Sequence, residues 1–411
     1  MHFSSLSLIA SSLALTFSSS VLASNRMMAR CNDYSCNTTS ENGVRATLDM
    51  TYENGQYIMP LMIGTPPQEG FNVVFDTGSV ASWVAGPRAC SSHCASAVFD
   101  PKLSSSASFD PKEKPVKLEY DDGKCVIGQM YKDTVSYSEW KNAKFEDFSI
   151  GVATKIEGFD TVSTETLGYL GYGNPDALKS IIGALETNTS SQEKKRQVNN
   201  GSGDIGLHRP PRNKGHKRWN TENKVILTLG IDPTVYEGEL YYFNLPVSQN
   251  DCEGQSVFWR TSLKGVSLKD GDNCEIPSKS YVTFSTSTDA IKAPPAQADI
   301  LHSKFGAIYN LDEKRYEYKC DKAVPDLELK FENYKITVPA SLWTDRVDST
   351  SQDVDGATCF SHIRRSSDKF KEWTIGTRVL DEFYQVYSYE MLRVGFAHLK
   401  GGSQATITNI G

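Results

Sequence analysis

The stretch VVFDTGSVASWV, residues 73–84, sets an acid on a turn at the end of an apolar run. Asp76 is followed by Thr77, Gly78 and Ser79. Glycine lets backbone approach the carboxylate closely, and the two hydroxyls can fix its orientation. Trp83 follows seven residues after Asp76. A D-T-G triplet alone arises often by chance. D-T-G-S at the end of an apolar strand, with a tryptophan at that spacing, is far more specific and reads as one half of a hydrolytic site. The flanks agree. GTPPQ (64–68) reads as a turn between two strands, and LEYDDG (118–123) as a hairpin tip carrying Tyr120.

Outward from this stretch the chain is patterned for strands. YIMPLMIG, FNVVF, KVILTLG, LYYFNLPV, LELKF, YQVYSY and RVGFAHL are short apolar or alternating runs, punctuated by Gly, Asn, Asp and Pro. PDALKSIIGALE (175–186) is the best helix candidate. The expected class is therefore all-β and mainly antiparallel, and 411 residues leave room for two lobes. A net charge of −7 argues against nucleic acid as a partner. One segment departs from that balance. Glu193–Arg218 holds eight Lys/Arg against two acids, a net of +6 that leaves the rest of the chain at −13. With Asn, Gly and Pro and no apolar period, residues 187–222 read as a basic, flexible surface insertion. KKR at 194–196 is readable as a processing site, although a solvated basic loop is the plainer reading.

The first 23 residues read as a signal peptide. LSLIASSLALTF is a short apolar run, and Val21-Leu22-Ala23 supplies small residues for cleavage. No later run approaches the roughly 18 apolar residues of a membrane span, and the tail 401–411, GGSQATITNIG, shows no lipid-anchor signal. The expectation is a secreted, extracellular protein without a membrane partner, with glycosylation sequons at Asn37, Asn188 and Asn200. Nine cysteines suit that compartment. Cys90 and Cys94 frame the loop CSSHC, and Cys31 and Cys36 are similarly close. Cys320 and Cys359 flank strand-like sequence, while Cys125, Cys252 and Cys274 compete for one further bond. Two thiols and His93 are too few for a zinc site, so no metal and no cofactor is expected.

Over residues 45–400 the chain resembles the pepsin family of aspartic peptidases. YIMPLMIGTPPQEGFNVVFDTGSVASWV is similar to the family's opening strands and first active-site loop. LGYLGYG (167–173) matches the segment that threads behind that loop, LTLGIDPTVYEGELYYFNLPV is highly typical, and TIGTRVLDEFYQVYSYEMLRVGFA resembles the closing strands. The resemblance implies a bilobal acid-protease fold: two pseudo-symmetric β-barrel-like lobes, at 45–186 and 223–400, with a central cleft for peptide. A short segment, 24–44, precedes the lobes, where family zymogens carry a longer basic pro-segment. The resemblance also implies a catalytic role for Asp76, a flap role for Tyr120, and substrate contacts from Trp83, Ser79 and Gly78. It places disulfides at Cys90–Cys94 and Cys320–Cys359.

The family's chemistry needs two aspartates, one from each lobe. About 3 Å apart they share a proton, one taking a proton from the attacking water while the other donates to the scissile carbonyl. In the second lobe, YVTFSTSTDAIKAPPAQ (281–297) puts Ser285-Thr286-Ser287 where the family has Asp-Thr-Gly. Asp289, four residues on, lies past the loop tip and lacks the strand and glycine that deliver a carboxylate to the cleft. No histidine is positioned by motif to activate Ser285 as a nucleophile. The expected function is a secreted, monomeric peptidase homologue, catalytically impaired, that binds peptide or protein in its cleft. The alternative is an active aspartic-type endopeptidase working at acid pH.

Overall fold

The computed structural model describes residues 46–89, 98–120, 123–137, 144–159, 166–173, 203–210, 223–246, 259–269, 273–274, 280–347 and 357–411. The signal peptide, segment 24–44, the three sequons, Cys31, Cys36, Cys90, Cys94, Cys252, the helix expected at 175–186 and the KKR site lie outside the described residues. Among the described residues no helix is long and apolar enough to cross a membrane.

The first lobe is built from β1 (Ala46–Glu53), β2 (Gln56–Ile63), β3 (Gln68–Asp76), β4 (Trp83–Ala85), β5 (Val116–Glu119), β6 (Cys125–Tyr137), β7 (Lys144–Glu157) and β8 (Thr166–Gly171). β2 and β3 pair antiparallel, Ile58 opposite Val74, through a turn that needs Gly64 at φ +95°. β8 then runs parallel to β3, with Gly171 opposite Asp76, and antiparallel to β4, with Tyr169 opposite Trp83. That threading demands close approach. A Cβ on Gly171 would lie 2.5 Å from the Val80 carbonyl carbon, and one on Gly173 2.7 Å from the backbone of Ser79.

β9 (Asp204–His208), β10 (Lys224–Leu229) and β11 (Tyr236–Asn244) follow. β9 corrects the expectation of an exposed, flexible insertion over the whole of 187–222. All five of its residues are buried, and it pairs antiparallel with β10. Ile205 and Leu207 belong to the core, and Arg209 beyond them is 5 % exposed. Two apolar residues in a five-residue strand are too weak a period to stand out from the surrounding Lys, Arg and Asn.

The second lobe contains β12 (Arg260–Leu263), β13 (Gly265–Leu268), β14 (Asn273–Cys274), β15 (Ser280–Phe284), β16 (Ile291–Ala293), β17 (Ile308–Asn310), β18 (Arg315–Lys319), β19 (Leu327–Lys330), β20 (Tyr334–Val338), β21 (Thr344–Arg346), β22 (Thr358–Ser361), β23 (Ile363–Arg365) and β24 (Trp373–Ile375). β25 (Phe383–Ser388), β26 (Arg393–Leu399) and β27 (Thr406–Asn409) close the chain. β27 pairs with β20 and buries Ala405 and Ile407, so residues 401–411 are not a free tail. The fold is all-β and mainly antiparallel as expected. One 13-stranded sheet runs through both halves of the chain in the order β11-β26-β25-β9-β10-β1-β2-β3-β8-β4-β7-β6-β5, with smaller sheets completing the second lobe.

The two halves repeat one device. As β8 threads between β3 and β4, β24 runs parallel to β15, with Ile375 opposite Phe284, and antiparallel to β16, with Thr374 opposite Lys292. A Cβ on Gly376 would lie 2.2 Å from the Thr288 carbonyl, as Gly171 does against its own loop. A continuous core of Leu61, Phe75, Trp259, Phe284, Tyr387 and their neighbours lies behind both loops. The Cys320–Cys359 disulfide ties the end of β18 to β22. Cys125 is a free, buried thiol with Sγ 3.6 Å from Glu157, so it takes no part in the third bond for which it was a candidate.

Candidate active site

β3 and β15 deliver their loops to one point. Thr77 and Thr286 are buried there and lock the loops together. The Thr77 N–H donates to Thr286 Oγ1 at 3.2 Å, and the Thr286 N–H donates to Thr77 Oγ1 at 3.2 Å. Each hydroxyl then donates to a carbonyl of the opposite strand, Thr77 to Phe284 at 2.8 Å and Thr286 to Phe75. Four buried polar groups satisfy one another across the interface, which fixes the residues on either side of each threonine.

Asp76 and Ser285 precede the two threonines. Asp76 is 3 % exposed, and its Oδ1 accepts from the Gly78 N–H at 2.7 Å and from the Ser285 hydroxyl at 3.2 Å. Ser287 Oγ lies 2.9 Å from Ser285 Oγ and also stabilises the carboxylate. Burial raises the Asp76 carboxyl above its ordinary range, while Gly78, Ser287, Ser285 and the charge of Lys292 pull it down. Ser79 was expected to help orient Asp76. Its hydroxyl instead accepts from the Ala81 N–H at 3.2 Å, a turn within its own loop that Thr288 and Ala290 repeat at 3.3 Å in the second lobe. Gly78 is held to glycine by space, because a Cβ there would sit 2.7 Å from the Ser285 side chain.

Asp289 faces another way. Its Oδ2 is 3.9 Å from His362 Nδ1 and 3.8 Å from Arg378. A Cβ on Gly55 would meet the Asp289 side chain at 2.4 Å, so the β1–β2 hairpin packs directly on it. The remaining candidates converge beside the first loop. The Trp83 Nε1–H donates to the Tyr120 hydroxyl at 2.6 Å, and Trp83 stacks on Tyr169 with centroids 5.6 Å apart. Phe159 completes this aromatic group, 5.5 Å from both Trp83 and Tyr120. Tyr120 closes the β5–β6 hairpin, its N–H bonded to the Lys124 carbonyl.

Three participants were not singled out from sequence. The threonine lock was visible only as a Thr shared by D-T-G-S and S-T-S-T. Gln56 donates to the Ser287 carbonyl at 2.7 Å and to Tyr169 at 3.2 Å, joining the two lobes through a residue with no motif. Lys292 stands seven residues after Ser285, as Trp83 does after Asp76.

The chain is similar to known proteins over most of its length. It is 26 % identical over 365 residues to a renin of Echis ocellatus, covering 87 % of this chain and 83 % of that protein. It is 26 % identical over 375 residues to the major aspartyl peptidase 1 of Cryptococcus neoformans var. grubii, covering 87 % and 71 %. A chymosin of Callithrix jacchus is 26 % identical over 356 residues, covering 84 % and 81 %. The sequence signature of the eukaryotic aspartyl protease family matches residues 56–399, from the start of β2 to the end of β26, and the chain belongs to that family.

Proposed function

We propose that this protein is a secreted member of its family that does not hydrolyse peptides by the usual two-carboxylate route and acts by holding a peptide or an extended protein segment in its cleft. The observation that carries the reading is the pairing of Asp76 with Ser285. Each precedes one half of the Thr77–Thr286 lock, so Ser285 is the counterpart of Asp76 across the lobes. A serine hydroxyl donates to the carboxylate at 3.2 Å but cannot share a proton with it as a second carboxylate would. The groups that act most strongly on the Asp76 carboxyl, besides its burial, are the Gly78 N–H, the Ser287 and Ser285 hydroxyls and the charge of Lys292. Asp289, the nearest acid in sequence on that loop, is engaged with His362 and Arg378. Losing one acid/base partner costs about 10²–10⁴ in rate for each role lost. Secretion is supported by the apolar leader and the sequon-bearing, cysteine-rich sequence.

Peptide binding survives this loss in principle. The Trp83–Tyr120 bond, the aromatic group around it and the loop carrying Asp76 are assembled. The test is digestion of a mixed peptide library at acid and neutral pH, with and without a statine-type inhibitor, alongside binding of that inhibitor. Inhibitor binding without cleavage is the expected result. Inhibitor-sensitive cleavage that disappears in Asp76→Ala establishes the alternative, an active acid endopeptidase.

A further inference from the structure

The β5–β6 hairpin has two faces, set by the period of two along a strand. On β5, Leu118 and Tyr120 pack with the aromatic group around Trp83. The seat beneath them is not filled. Trp83, Val116, Leu118, Val126 and Gly128 line an apolar hollow of about 220 Å³, open in part to solvent. Lys117 and Glu119 alternate with these residues and take the other face. There the Glu119 carboxylate is shared. One oxygen accepts from Lys117 Nζ at 2.6 Å, along its own strand, and the other accepts from Lys369 Nζ at 3.1 Å, from the second lobe.

Lys369 is delivered by a tied turn between β23 and β24. The Ser366 N–H donates to the Ala293 carbonyl at 2.8 Å, and its hydroxyl donates to the Phe370 carbonyl at 3.2 Å. The Phe370 N–H donates to the Ser367 carbonyl at 2.9 Å. β24 then threads behind the second loop, where the Ser285 N–H donates to the Ile375 carbonyl at 3.0 Å. One end of the ion pair is therefore fixed to the framework that carries Ser285. At the other end, Glu119 is the chain neighbour of Tyr120, which bonds Trp83 beside the Asp76 loop. The lobes meet at the base of the cleft through Thr77 and Thr286, and again at the hairpin through Glu119 and Lys369.

We propose that the Glu119–Lys369 ion pair is a latch: it draws the β5–β6 hairpin to the second lobe and closes the cleft, and a peptide enters when the pair parts. The inference rests on the peptide-binding reading and adds how entry to that cleft is governed. Both side chains keep contact with water, Lys369 57 % and Glu119 23 % exposed, so salt screens the pair and it biases the hairpin without locking it. Lys117 steadies the carboxylate from its own strand, which offsets part of the entropy cost that makes most exposed pairs weak. The hollow beneath meets the other requirement. A hairpin seated loosely on its apolar face is free to move once its outer contact is released.

Two measurements on the full-length protein separate the latch from the binding reading. The first needs no ligand: hydrogen exchange of the hairpin amides, followed by mass spectrometry. Glu119→Gln or Lys369→Gln should speed exchange about two- to fivefold, the scale of an exposed ion pair. The double variant should be no faster than Glu119→Gln alone, and Lys369→Arg should match the parent. Raising NaCl from about 0.05 to 0.5 M should speed the parent and leave the Gln variants unchanged. The second measurement is stopped-flow association of a statine-type inhibitor, which should quicken by the same factor in the Gln variants. Additive effects of the two substitutions, or exchange indifferent to both and to salt, overturn the latch. Faster exchange without faster association overturns its part in entry. If the inhibitor binds none of these proteins, the peptide-binding reading fails, and the exchange result still decides whether the pair holds the hairpin.

Discussion

Thr77 and Thr286 bond each other reciprocally, each N–H donating to the other's hydroxyl at 3.2 Å. This symmetric contact between lobes turns a one-residue difference into a chemical one. It brings whatever precedes each threonine to the same spot, and here that is one carboxylate and one hydroxyl, 3.2 Å apart. Neither loop makes the site alone.

Installing a carboxylate opposite Asp76 tests the proposed function directly. Ser285→Asp combined with Ser287→Gly adds an acid and removes a hydroxyl that lies 2.9 Å from Ser285 Oγ. The threonine lock and the Trp83–Tyr120 bond are untouched. Acid-pH peptide cleavage should rise by at least about 10²-fold over the unmodified protein. The cleft should then titrate in two coupled steps in place of one. A folded double variant that binds a statine-type inhibitor but cleaves nothing would show that a second carboxylate at 285 is not enough for catalysis.

Burial of Asp76 should be visible as a stability effect. Its folded pKa is raised above the ordinary 3.8, so the contribution to stability is full below 3.8 and is lost as pH rises through the folded value. Asp76→Asn has no charge to bury. It should melt higher than the unmodified protein at pH 7 and lose that advantage in acid. An asparagine variant with the same pH profile as the parent contradicts this.

Two buried histidines should make the fold acid-labile. His302 is fully buried, with Nδ1 2.7 Å from the Ala298 carbonyl, Nε2 2.8 Å from Ser361 and its ring stacked on Tyr316. Burial lowers His302 and His208 from 6.5 to about 4. Both folded values are depressed, so this stability is complete above pH 6.5 and disappears as pH falls toward 4, on the order of 3 kcal/mol for each ring. Asp381, pushed up to about 6 by burial, acts in the opposite sense over a narrower span. Urea denaturation at pH 7, 5.5 and 4.5 should show the loss, and His302→Gln should flatten it. A parent protein equally stable at all three values rules the mechanism out.

The buried ion pair between Arg209 and Asp381 offers a fourth test. The groups are 3.0 Å apart and almost wholly buried, and the Tyr57 hydroxyl also donates to Asp381 at 2.7 Å. Arg209→Met strands the carboxylate and should cost about 3–5 kcal/mol at pH 7. Part of that cost should be relieved in acid as Asp381 takes up a proton. Adding Asp381→Leu should recover much of the loss by removing the uncompensated charge. A single variant within about 0.5 kcal/mol of the parent, the range of ordinary surface substitutions, would falsify the structural role.

Much of the architecture was legible in the chain because it depends on local pattern. FNVVFDTGS carries its own strand period, and its glycine is demanded by a close approach that any sequence folding this way must meet. LGYLGYG was readable as the threading strand only through its resemblance to the family, and the structure supplies the reason for its glycines: Gly171 and Gly173 have no room for a Cβ. Where local pattern is short, sequence misled. Asp204–His208 offers only Ile205 and Leu207 amid basic residues, and its place between β10 and β25 comes from partners far away in the chain. The strand Thr406–Asn409 was hidden in the same way, since only pairing with β20 gives Ile407 a core to enter.

The sequence by itself determined which groups the two loops contain, and so that position 285 carries a hydroxyl. Side-chain chemistry is a property of the residue. What those groups do to one another was decided only in three dimensions. Ser79 points into its own turn, Asp289 is drawn to His362 and Arg378, and Lys292 meets Arg364 on a strand more than 70 residues later. Hydrogen bonds and charges act over a few ångströms, and only tertiary packing sets distances on that scale between residues remote in sequence.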